Sequence, residues 1–117
     1  QLQERFSHVF TAMNAMGFER GSRAWKKADF YTLFVEVDRI LHREEVNFNA
    51  EEAGKRLSTF FEQVDALRNS EDAPVGDVGN YLRATLQSTN DRSYRAERGR
   101  IIGKILKDDA LDIGEKE

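Results

Sequence analysis

Two histidines, His8 and His42, come first among the residues that could do chemistry, because imidazole serves as general base, proton shuttle and metal ligand. They fall on different predicted helices with no H-x-x-x-H or H-E-x-x-H spacing, so the sequence predicts no metal site. Ser7 directly precedes His8, and neighbours on a helix point about 100° apart, which is wrong for a nucleophile and its base. The acidic pairs Glu44-Glu45 and Glu51-Glu52 fail as shared-proton dyads for the same reason. Gly17, Gly21, Gly76 and Gly79 fall into no G-x-G-x-x-G or phosphate-loop pattern. No catalytic residue and no cofactor is predicted.

Cations offer more. Around a single tryptophan stand Arg20, Arg23, Lys26 and Lys27, with Trp25 among them. Cations beside an aromatic ring suit a nucleic-acid backbone with a stacked base; equally, Trp25 folds back as a lid over the core. A second group follows in residues 92–107, where six cations face one acid, Glu97. On a helical wheel Arg98 falls inside the stripe of Ile101, Ile102, Ile105 and Leu106, whereas Arg100, Lys104 and Lys107 share the opposite face. An unpaired buried guanidinium is prohibitive, so Arg98 is expected to form a structural ion pair, with Asp29, Asp38 or Asp65 as candidate partners. Arg100, Lys104 and Lys107 form the predicted solvent-facing ridge. Joined to Arg20, Arg23, Trp25, Lys26 and Lys27, that ridge would make a phosphate-tracking surface. The competing reading turns the same cations onto the acidic third helix or an acidic partner.

The 117 residues suffice for one domain, and 39% hydrophobic content with eight Phe supports a single core. No apolar run reaches membrane-spanning length. No cysteine is present, which fits a reducing cytoplasm. The chain opens on QLQERF, neither an initiator Met nor a signal peptide, so it is expected to be cut from something longer. The net charge of −3 is unevenly placed, with seven cations against two acids in residues 78–107.

Periodicity predicts an all-α fold, a compact bundle of four to five amphipathic helices. Leu2, Phe6, Val9, Met13 and Met16 mark the first, and Phe30, Leu33, Phe34, Val37, Ile40 and Leu41 the second, over about residues 27–45. Asn49 with Glu52 resembles a capping box opening the third. Asp77 is expected to cap a short fourth helix, and Ser88, Thr89, Asn90 and Asp91 form a cap-rich corner before the fifth. The domain is expected to span residues 1–107, with 108–117 a frayed acidic tail. Phe30, Phe34, Val37, Phe60, Phe61, Val64, Leu82 and Ile101 are expected to be buried together.

Four segments carry a family likeness: Phe10-Thr11-Ala12-Met13, the basic loop 20–27, the run K-K-A-D-F-Y-T-L at 26–33, and T-N-D-R-S-Y-R-A-E-R at 89–98. Over residues 6–107 the chain resembles the carboxyl-terminal helical region of bacterial restriction and phage-defence proteins of the GmrSD type. Those proteins begin with a ParB/sulfiredoxin-like domain. The resemblance implies a helical accessory module acting by contact with nucleic acid or with such an amino-terminal domain. It departs from the family in lacking the DGQQR-like nucleotide motif and the HNH nuclease motif. Two alternatives stay open, a fragment completing an active site that lies elsewhere and a homodimerising bundle.

Overall fold

The computed structural model describes residues 2–19, 21–86 and 92–114. Five α-helices run in order: α1 Leu2–Ala15, α2 Lys27–Asp38, α3 Ala50–Arg68, α4 Gly76–Leu86 and α5 Arg92–Leu106. A 3-10 turn, Arg23–Trp25, precedes α2, and a π-turn, Arg39–Arg43, prolongs it. Among the described residues there is no strand, and no helix is long and apolar enough to cross a membrane. The fold is an all-α bundle.

Two helix ends have a clear local cause. Gly17 takes a left-handed φ of 74°, which ends α1 at little steric cost. Asn49 accepts the Glu52 amide at 2.9 Å and caps α3. The corner at Ser88 to Asp91 lies outside the described residues.

Packing turns α5 into the hub, set against α2, α3 and α4, while α1 lies on α2 and α3. Val9, Met13, Leu33, Val37, Ile40, Leu57, Phe60, Phe61, Val64, Tyr81, Leu82, Ile101, Ile102 and Leu106 form one core. Two close approaches fix the helix spacing. A Cβ on Gly54 of α3 would lie 2.1 Å from the Met16 carbonyl oxygen, and one on Gly99 of α5 would lie 2.6 Å from the Glu36 carboxylate.

The structure corrects the sequence reading in three places. Phe30 and Phe34 are only partly buried. The inner face of α2 and its π-turn is filled by Leu33, Val37 and Ile40, which turns Phe30 and Phe34 to the flank. Phe34 is covered there by Phe6 and Phe10, at ring distances of 5.4 and 5.1 Å, and both of those rings are themselves exposed.

Asp77 does not cap α4. It sits inside the first turn, 1% exposed, and its carboxylate accepts from Arg100 at 2.8 Å, Lys104 at 3.0 Å and the Asp112 amide at 2.8 Å. Nor are residues 108–114 frayed. The Asp77 amide donates to the Asp112 carbonyl at 2.7 Å, and Leu111 packs on the core. An acidic composition alone reads as solvated tail; here one buried carboxylate and one leucine hold it down.

Candidate functional site

The loop before α2 is built around an arginine that turns inward. Ser22 caps the 3-10 turn by accepting the Ala24 amide at 3.2 Å, and the turn buries Arg23. Its Nη1 donates to Asp29 at 3.3 Å, while Nε and Nη2 donate to Asp65 at 3.1 and 2.6 Å. The Tyr81 hydroxyl also donates to Asp29, and burial pushes that phenol well above its usual range. Burial raises the Asp29 carboxyl as well, against the opposing pull of Tyr81, Arg23 and Arg98. Arg23 is therefore a structural residue tying the loop to α2 and α3, and it is removed from the predicted surface.

With Arg23 anchored, its neighbours are displayed. Trp25 stacks on Phe30 at 5.7 Å and meets Phe18 edge-on at 6.4 Å, yet stays 42% exposed. It covers the rim of the core and keeps part of its ring exposed. Lys26 and Lys27 are exposed, and neither has an acidic partner among the described residues. Arg20 lies outside the described residues.

The carboxyl-terminal cations of α5 behave differently. Arg100 pairs with Asp77 and Glu97, Lys104 with Asp77, and Lys107 with Glu44 at 3.3 Å. The expected solvent-facing ridge is thus neutralised within the molecule. Its partners belong to α4, to α5 itself and to the end of the π-turn, rather than to the acidic third helix. Arg98 is 2% exposed, donates from Nη1 to the Ala84 carbonyl at 3.0 Å, and lies within electrostatic reach of Asp29. The other two candidate partners are engaged elsewhere, Asp38 by Arg5 and His42, Asp65 by Arg23.

What the fold brings to the loop instead is the amino-terminal half of α5. A cleft of about 600 Å³ is walled by Trp25, Lys27, Ala28, Phe30 and Tyr31 on one side and by Arg95 and Arg98 on the other. A smaller cleft of about 280 Å³ continues from it, between Tyr31 and Val35 of α2 and Arg92, Arg95 and Gly99 of α5. Tyr31 is 59% exposed between the two. Arg92 and Arg95 are exposed and carry no acidic partner among the described residues. A signal for them existed: Arg92, Arg95 and Arg98 recur every third position, which aligns them along one helix face.

The resulting surface holds two accessible aromatic rings, Trp25 and Tyr31, flanked by Lys27, Arg92 and Arg95. Such a set offers stacking planes and phosphate donors side by side. No family model, curated protein or solved structure matches this chain.

Proposed function

We propose that this chain is a non-catalytic, cytoplasmic accessory module that holds a single strand of nucleic acid in the cleft between α2 and α5, within a larger restriction or phage-defence protein. The observation that carries the reading is the pairing of two exposed rings, Trp25 and Tyr31, with cations that have no carboxylate partner among the described residues, Lys27, Arg92 and Arg95. A single strand fits better than a duplex because stacking on Trp25 or Tyr31 needs a base already free of its own stack. The wider charge argues the same way: with net −3, the chain offers only a local basic groove rather than a broad face for duplex phosphates. The likeness to restriction and phage-defence proteins supports the setting, since three of its four segments supply the cleft's walls.

Fluorescence anisotropy with a labelled oligothymidylate across a salt series tests the reading. Three engaged phosphates would give a log–log slope of about −2, from about −0.7 for each. Arg92→Gln with Arg95→Gln should flatten it by about 1.4, while Arg100→Gln should leave it unchanged. Absence of binding at low salt, or an unaltered slope in the double variant, would defeat the proposal.

A second reading has its own support. Leu2, Phe6 and Phe10 are exposed along one side of α1, which suits contact with another protein domain. Loss of affinity for a partner domain in Phe6→Ser/Phe10→Ser, with oligonucleotide binding intact, would separate this face from the cleft.

A further inference from the structure

The sequence separates the two histidines, but the fold brings them into contact. His8 on α1 and His42 in the π-turn lie with ring centroids 5.7 Å apart and planes 12° apart, and His8 Nδ1 lies 3.5 Å from His42 Nε2. The π-turn matters here because an extra residue in a helical turn re-aims the side chains that follow, and such turns recur at functional sites.

Behind the pair stands Asp38. Its Oδ1 is 3.0 Å from His42 Nδ1, and Arg5 grips the carboxylate through Nε at 2.6 Å and Nη2 at 2.8 Å. An ionised carboxylate only accepts, so the His42 hydrogen resides on Nδ1 and Nε2 keeps its lone pair toward His8. This carboxylate–imidazole arrangement is the one that fixes tautomer and ring direction in metal-ligating histidines.

Spacing adds to the case. Two nitrogens bound about 2.0–2.1 Å from one tetrahedral ion stand about 3.4 Å apart. The observed 3.5 Å matches that edge. We infer that His8 and His42 form a two-imidazole site for a divalent transition-metal ion, positioned by Asp38, which ties α1 to the end of α2. Imidazole donors select zinc, nickel or copper over calcium or magnesium. Among the described residues no third histidine or carboxylate joins them, so water would fill the remaining positions.

The test titrates zinc chloride into the whole chain, purified without a histidine tag, by calorimetry, and follows the unfolding temperature beside it. One ion per chain should bind and raise the unfolding temperature. His8→Ala and His42→Ala should each weaken binding at least about tenfold, because either leaves a single imidazole. Asp38→Asn should weaken it by about 10–100-fold, the usual loss when the group orienting a ligand is altered. His8 is exposed, so its variant keeps the fold and decides the matter even if His42→Ala unfolds. Absence of zinc binding, or full affinity and an undiminished rise in unfolding temperature in His8→Ala, would overturn the site. Undiminished affinity in Asp38→Asn would overturn the role given to Asp38.

Discussion

Replacing Asp77 with alanine should destabilise the fold by about 3 kcal/mol. The residue accepts three hydrogen bonds, from Arg100, Lys104 and the Asp112 amide, and a bond to a charged group contributes a net of about 1.5–3 kcal/mol, with bonds that share one carboxylate not adding in full. Breaking a buried ion pair typically costs about 3–5 kcal/mol. The lower end applies, because the Arg100 and Lys104 side chains are 44% and 26% exposed and can return to water. Asp77→Asn keeps an acceptor for the Asp112 amide and should lose less, about 1–2 kcal/mol. Acid sensitivity provides an independent check. Burial pushes the Asp77 carboxyl up, but the Asp112 amide, Arg100 and Lys104 together hold it below its usual range. Between its lowered folded pKa and the ordinary value near about 4, the unfolded chain therefore binds more protons than the folded one. The stability contributed by Asp77 is complete above that range and disappears as pH falls through the folded pKa. Urea denaturation at pH 7 and in an acid series measures both effects. A loss under about 1 kcal/mol in Asp77→Ala at pH 7, or the same acid sensitivity in variant and parent, would show that this carboxylate does not fasten the end of the chain.

Gly54→Ala should destabilise by at least about 2 kcal/mol in urea, since its Cβ would meet backbone at Met16, which no rotamer change relieves. Phe60→Ala should cost about 3–5 kcal/mol and Phe34→Ala clearly less, because Phe60 is buried while Phe34 sits at the rim; equal losses would refute that placement. Tyr81→Phe should cost about 1.5–3 kcal/mol by leaving buried Asp29 without its hydroxyl donor, and a neutral result in thermal unfolding would remove the pair from the account.

The helices were legible because their apolar stripes repeat at the helical period, and Asn49 announces α3 by its residue type. The polar interior was not. Whether Arg23 points out or in depends on Asp29 and Asp65, the latter 42 positions away, and local pattern carries no such information. The same holds for Asp77, whose partners come from α5 and from residue 112. In the candidate site, Trp25, Lys26 and Lys27 could be read from composition, whereas Arg92 and Arg95 were hidden by counting all α5 cations together. Helix faces divide them: one end of α5 meets the cleft, the other neutralises Asp77 and Glu44. The histidine pair was invisible for a further reason, since its contact depends on how α1 crosses the π-turn.

Trp25 is the single tryptophan of the chain, so its emission reports directly on the proposed cleft. Titrating unlabelled oligothymidylate at low salt should quench that emission saturably, because a base stacking on the exposed ring face displaces water from it. Added salt should reverse the quenching, and Arg95→Gln should shift the titration to higher oligonucleotide concentration. Emission that stays constant through the titration at low salt would contradict the claim that this cleft holds a nucleic-acid strand.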